Sequence, residues 1–255
     1  MVNFNQVKAS FLVVAASALT IFSGEINAAG GGAIGGDFLK PALNDVGNQH
    51  SLRRGARNFM NYCSGCHSAK YVRYNTLADG LDLSEEQVIE NLMFNGEKMH
   101  QTIETNMPDE DAARWFGVVP PDLSLIARSR GSDYLYNFLR GFYLDDSRPN
   151  GVNNLVLPGA SMPHVLWELQ GEQIAVFETD DAGHEVFRGF EQVSEGSLSP
   201  EEYDRFVRDT VNFLDYIGEP MQLERRTLGV RVLMFLVFFL IIAIMLKKEV
   251  WKDVH

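Results

Sequence analysis

Two cysteines occur in the 255-residue chain, and a histidine follows the second: Cys63-Ser64-Gly65-Cys66-His67. That spacing is the sequence of covalent c-type haem attachment. Two thiols separated by two residues reach the two vinyl groups of one porphyrin and close thioether bonds. The adjacent imidazole is then set beneath the iron as an axial ligand. Two other chemistries use a similar cysteine pair. A redox dithiol of the thioredoxin kind wants a βαβ surround, and no such pattern flanks the motif. A structural zinc ion needs two further ligands in a paired pattern, whereas His50, His100, His164, His184 and His255 are scattered. The sequence therefore predicts one covalently bound haem c on Cys63 and Cys66, with His67 as an iron ligand.

The ligand on the far side of the iron decides what such a haem does. A thioether raises the reduction potential and fills the coordination shell, which favours electron transfer over oxygen chemistry. Of nine methionines, Met1, Met234 and Met245 fall in apolar terminal segments, Met60 lies too close to the motif, and Met93 fits a helical stripe. Met99, Met107, Met162 and Met221 remain. Met107 and Met162 each precede a proline, where the backbone is extended and rigid. Met162 lies in the long loop Asn150 to Gly171, which suits a ligand reaching back over the haem. His164 is its rival, and a bis-histidine site would lower the potential. With neither bound, the chain would be a haem sensor held by His67 alone.

These residues need elements to position them. Ser51 is expected to cap a helix carrying Leu52, Ala56, Phe59 and Cys63 on one face, running straight into the motif. Ser84-Glu85-Glu86-Gln87 is a capping-box pattern opening a short helix through Ile89, Leu92 and Met93. Ser132 to Phe142 repeats apolar residues at helical spacing, at Leu135, Phe138, Leu139 and Phe142. The strongest helix runs from Pro200 to Ile217, capped by Ser199 and ended by Gly218 and Pro220. Its buried stripe is Tyr203, Phe206, Val207, Thr210, Phe213, Leu214 and Ile217. Residues 172–195 alternate enough around Asp180-Asp181-Ala182-Gly183 for a small hairpin. The rest, notably Asp145 to Gly171, reads as loop. So little regular structure calls for an organising centre, and a large flat apolar cofactor would supply one.

The ends of the chain divide it into four parts. Residues 1–28 read as a signal peptide: Lys8 precedes an apolar run from Phe11 to Phe22, and small residues follow at Ser23, Gly24 and Ala28. Residues 29–226 would then be exported, residues 227–246 would cross the membrane, and residues 247–255 would form an inner tail. Within Thr227 to Leu246 the single charge is Arg231, near enough to the start to snorkel. The formal charge is −12. Residues 1–29 cancel, and residues 225–255 hold six basic and two acidic groups, so residues 30–224 carry −16. A nucleic acid or other polyanion is excluded as partner; a basic protein is favoured.

With these residues in view, the chain resembles the cytochrome c1 family. The resemblance rests on Arg54-Gly55, Cys63 to Tyr71 and the block Pro120-Pro121-Asp122-Leu123-Ser124-Leu125-Ile126-Ala127-Arg128-Ser129-Arg130. Met162-Pro163-His164, Val211 to Leu214, Gly218-Glu219-Pro220 and Lys247 to His255 extend it. It implies a mainly α c-type cytochrome domain with long loops and a small hairpin, plus one C-terminal transmembrane helix. It implies His67 and Met162 as axial ligands, with Pro120 and Pro121 by the proximal face and Arg130 and Tyr134 by the propionates. It further implies a one-electron carrier, not an enzyme on its own, in a bacterial inner membrane with its haem domain in the periplasm. Its partners would be a cytochrome b subunit, a Rieske iron–sulfur protein as donor and a c-type cytochrome as acceptor. The stretch from His67 to Pro120 is shorter than in mitochondrial relatives, and an additional cysteine pair of some relatives is lacking.

Overall fold

A computed structural model describes residues 38–181 and 183–253; the expected signal peptide and the last two residues of the expected tail lie outside them. The described chain is mainly helical, with three two-stranded antiparallel sheets.

Two helices make the centre. The first, α1 (Gln49–Tyr62), is capped by the Asn48 side chain, which accepts from the Ser51 amide. Ser51 is therefore not the cap the sequence suggested. It lies one turn in, buried, and its hydroxyl donates to Asp209 Oδ1 at 2.6 Å. The asparagine three residues earlier competes better because its carboxamide reaches the free amides of the first turn. The expected face is otherwise correct: Leu52, Ala56 and Phe59 are fully buried.

The partner is α8 (Pro200–Gly218), with the anticipated Ser199–Glu202 capping box and Pro200 in the first turn. Tyr203, Val207, Thr210, Phe213, Leu214 and Ile217 are buried as expected, while Phe206 is only half-buried. Val211 and Asn212 are buried too, so α8 is covered on more than one side. It crosses α1 at Gly55, where an added Cβ would lie 2.1 Å from the Asp209 carbonyl oxygen and 2.6 Å from Phe213 Cβ. Only glycine permits that approach.

Smaller elements pack around this pair. β1 (Ala69–Arg73) leads directly into α2 (Tyr74–Leu81), and α3 (Glu85–Asn91) opens with the expected capping box. Its buried residues are Val88 and the following Leu92, whereas Ile89 points to solvent, because seven residues offer only one narrow stripe. β2 (Thr102–Ile103) pairs with β1. α4 (Asp109–Phe116), α5 (Ile126–Arg130) and α6 (Ser132–Arg140) follow. Phe142, expected to end a helix, instead begins β3 (Phe142–Leu144), because α6 stops at Gly141. The stretch read as loop holds β4 (Val152–Asn154), paired with β3, and the short α7 (Trp167–Gln170). β5 (Gly171–Thr179) and β6 (Glu185–Glu195) form the anticipated hairpin. Phe187 and Gln173 face inward, and Ile174 and Val176 face out.

The last helix, α9 (Gln222–Val250), is exposed from Leu223 onward and apolar enough to cross a membrane. Twenty-nine residues give about 43 Å, beyond the ~30 Å of a hydrocarbon core.

Candidate functional site

The motif is built on the end of α1. Cys63 closes the helix, its amide and that of Ser64 both donating to the Phe59 carbonyl at 2.9 Å. The amides of Cys66 and His67 turn back onto the Cys63 carbonyl at 3.0 and 2.8 Å. Ser64 is buried inside this turn and donates its hydroxyl to the Met60 carbonyl at 2.8 Å. Two distant side chains hold the outside. Asn95 donates to the Ser64 carbonyl at 3.2 Å, and Thr105 donates to the Gly65 carbonyl at 2.8 Å. The turn is thus fixed from three directions, with both cysteine thiols free and half-buried.

His67 leaves this turn toward the Pro120–Ser124 segment. Its Nδ1 lies 2.7 Å from the Pro121 carbonyl, which can only accept. That contact makes Nδ1 the protonated nitrogen and leaves the Nε2 lone pair for a metal. Proline suits the segment for a second reason: it has no amide proton needing a partner. The segment is laced to the motif by backbone and short polar groups. Leu123 donates to the Ser68 carbonyl at 2.8 Å, and Lys70 donates to Asp122 Oδ2 at 2.8 Å. The Tyr71 amide donates to the fully buried Ser124 hydroxyl at 3.1 Å.

Burial sets the proton chemistry here. It pushes the His67 imidazole below its ordinary pKa, against the Pro121 carbonyl and Asp122, so the ring is neutral and fit to ligate at neutral pH. Burial, with the neighbouring Cys66, pushes the Cys63 thiol up to about 12, and burial raises Cys66 as well. A redox dithiol needs the opposite, a depressed thiol pKa. Among the described residues no three His, Cys, Asp or Glu side chains gather as a metal cluster would require.

Other expected residues group elsewhere. Arg130 stands over the Tyr134 ring at 5.8 Å; Tyr134 stacks on Phe138 at 6.1 Å. Phe138 meets Phe142 edge-on at 5.2 Å, and Phe142 stacks on His164 at 5.1 Å. This ladder runs from the end of α5 to the loop holding Met162. α5 itself follows directly from the Pro120–Ser124 segment, so one stretch of chain borders both groups. Met162 is half-buried, whereas His164 is buried against Phe142. Burial pushes the His164 imidazole down to about 4, with Gln170 opposing. Its ring stacks on Phe142, and its buried Nε2 has no hydrogen-bond partner.

The remaining methionines divide. Met60 is core, Met93 and Met99 pack against the core, and Met221 is exposed at the start of α9. Met107 sits on the attachment side, its amide donating to Thr105 Oγ1 at 3.2 Å. Asn95, Thr105 and Ser124 were not identified from sequence. Each acts on backbone between 31 and 53 residues away, and no spacing rule signals such a contact.

The donor set fits a haem. The motif offers two free thiols, one imidazole with its outer nitrogen unencumbered, and exposed apolar side chains at Val118, Val119 and Leu125 beside the proline segment.

Comparison with known proteins identifies the family. A model of the Cytochrome C1 family matches residues 42–254. The chain is 51% identical over 249 residues to cytochrome c1 of Allochromatium vinosum, covering 97% of this chain and 98% of that one. It is also 45% identical over 217 residues to a protein named ammonia monooxygenase gamma subunit in Nitrosomonas europaea, covering 85% and 89% respectively. A solved chain of a hyperthermophilic respiratory Complex III aligns over 99% of this chain and 100% of that one, at 17% identity and a TM-score of 0.45.

Proposed function

The chain belongs to the cytochrome c1 family, and from that premise we propose that it is the membrane-anchored monohaem c-type cytochrome of a quinol–cytochrome c reductase complex. It takes one electron from the Rieske iron–sulfur protein and passes it to an acceptor c-type cytochrome. It is an electron-transfer subunit and not an enzyme on its own. Bound haem supplies a reversible one-electron couple at its iron. The chain supplies attachment, orientation and access.

Cys63 and Cys66 hold the porphyrin covalently, and the fixed turn after α1 sets their spacing. His67 is the proximal ligand. The contact that carries this reading is its Nδ1 against the Pro121 carbonyl, which fixes the tautomer and raises the basicity of Nε2. Met162, half-buried in the loop before α7, is the distal ligand, as the likeness to the family at Met162-Pro163-His164 supports. Pro120 and Pro121 border the proximal face, and Arg130 and Tyr134 serve the propionates, Arg130 by a charge-assisted hydrogen bond. Residues 1–28 are a signal peptide, residues 29–226 a periplasmic haem domain in the bacterial inner membrane, 227–246 a single span beside cytochrome b, and 247–255 a cytoplasmic tail. The acidic domain draws a basic partner, with an attraction that salt weakens.

The test is a denaturing gel stained for haem, followed by a reduced-minus-oxidised spectrum of membranes. Wild type should stain and give a low-spin ferrous spectrum that carbon monoxide leaves unchanged. Replacing both cysteines with alanine should abolish the stain. Met162→Leu should produce a high-spin ferrous haem that binds carbon monoxide. A wild-type chain without covalent haem refutes the reading. Purification from native membranes should bring quinol–cytochrome c reductase activity; co-purification with an ammonia-oxidising assembly instead would assign the chain to another complex.

A further inference from the structure

Between the haem domain and α9 lie only Glu219, Pro220 and Met221. Glu219 is in the middle of a three-part ion pair. Arg128 Nη1 donates to its Oε2 at 2.7 Å, and Arg225, in the first turn of α9, donates to both of its oxygens. The Glu219 side chain is 19% exposed although both arginines are about half exposed. The Arg128 stem lies across Gly218, where an added Cβ would sit 3.0 Å from Arg128 Cγ and 3.6 Å from the Ser124 carbonyl oxygen. The first turn of α9 is itself seated on the domain, with Gln222 buried.

Arg128 lies in α5, the helix that follows directly on the Pro120–Ser124 segment meeting His67. From the Pro121 carbonyl at the imidazole, the backbone runs past Ser124, which takes the Tyr71 amide, into α5, whose Arg128 lies over Gly218 and donates to Glu219, and Glu219 is held in turn by Arg225 on the membrane helix. We propose that Glu219 is a positioning residue that fixes the orientation of the haem-bearing domain relative to its membrane helix. This rests on the electron-carrier reading above. Exposed ion pairs add little stability one at a time. Here one carboxylate, largely withdrawn from water, is shared by guanidinium groups from two bodies, and its effect is on their relative angle. Arg225 and Arg226 flank the same junction at the expected membrane surface, so loss of the carboxylate also leaves like charges opposed across it.

The experiment uses the assembled complex in native membranes. Glu219→Gln keeps the side-chain shape and removes the charge; Arg128→Met keeps the apolar stem over Gly218 and removes the other partner. Electron paramagnetic resonance of the ferric haem in oriented membrane multilayers reads its tilt and angular spread, and flash or rapid-mix kinetics reads quinol-driven haem reduction. Both variants should retain haem content, spectrum and potential. Each should shift the tilt or widen the spread and slow reduction severalfold, and the double variant should be no worse than either single one. Unchanged tilt, spread and rate in both variants overturn the proposal. So does a loss of haem or a changed potential, which would make Glu219 a merely structural residue. If the wild-type membranes give no low-spin haem signal, the electron-carrier reading fails first and takes this inference with it.

Discussion

Gly55→Ala tests the geometry that positions the attachment motif. The new methyl carbon would begin 2.1 Å from the Asp209 carbonyl oxygen and 2.6 Å from Phe213 Cβ, whereas ordinary contact starts at 3.4 Å. Helices α1 and α8 must therefore separate by about 1.3 Å, as neither neighbour is the end of a flexible side chain. Overpacking of this kind costs ~1–3 kcal/mol. The same movement stretches the bonds from Ser51 and Arg54 to Asp209, both 2.6 Å, beyond hydrogen-bond reach. Hydrogen bonds to a charged group contribute ~1.5–3 kcal/mol. Against this stands a gain of ~1 kcal/mol from replacing glycine by alanine inside a helix. Because Arg54 is half exposed, the lower end of each range applies, and the net expectation is a loss of about 3 kcal/mol, or roughly 6–12 °C in Tm at the ~2–4 °C per kcal/mol typical of a chain this size. Thermal melting of the haem-loaded protein in detergent, followed by circular dichroism, measures it. Gly65→Ala is the control, since a Cβ there meets nothing within 4 Å. If the two variants melt together with wild type, the close crossing of α1 and α8 is wrong.

Two more expectations follow from the same reasoning. Ser124→Ala removes the acceptor of the Tyr71 amide in a fully buried place and should cost ~1–3 kcal/mol in chemical denaturation; covalent haem staining should survive, because no bond to Cys63, Cys66 or His67 is removed. Ser199→Ala removes the cap of α8 and should cost ~1 kcal/mol at neutral pH. That box is pH-sensitive. The backbone and hydroxyl of Ser199 hold the Glu202 carboxyl below its ordinary pKa, so its stabilisation is full above that value and is lost as pH falls through the lowered one. The gap between Ser199→Ala and wild type in urea midpoints should therefore narrow on acidification through the carboxylate range; a constant gap would deny Glu202 its part.

The burial of the thiols bears on the proposed attachment of haem at Cys63 and Cys66. With Cys63 pushed up to about 12 and Cys66 also raised, neither is a thiolate at neutral pH in the folded domain. Thiol addition to a vinyl group does not require a reactive thiolate poised for disulfide exchange, and protonated thiols resist the competing oxidation. Raised thiols of this kind are the opposite of the depressed thiol pKa that a redox pair uses.

Much of this protein is written in short-range order. The attachment motif is five consecutive residues, and both capping boxes span four, so each is visible without knowing what lies across the fold. The stripe of α8 and the apolar run of α9 are periodic or continuous, and burial or lipid simply acts on that pattern. The fold decided what depends on distant partners. Asn48 rather than Ser51 caps α1, because Ser51 is drawn to Asp209, 158 residues away. β3 and β4 pair across residues that read as loop, because strands this short carry no alternation to detect. Met162 and His164 stand two residues apart in one loop, and only the fold shows that the His164 ring stacks on Phe142 while Met162 is half-buried. Glu219 looks like one more surface acid until Arg128, 91 residues earlier, is seen to reach it. Pairings over such separations leave no local trace, since their energy comes from geometry that exists only once the chain has closed on itself.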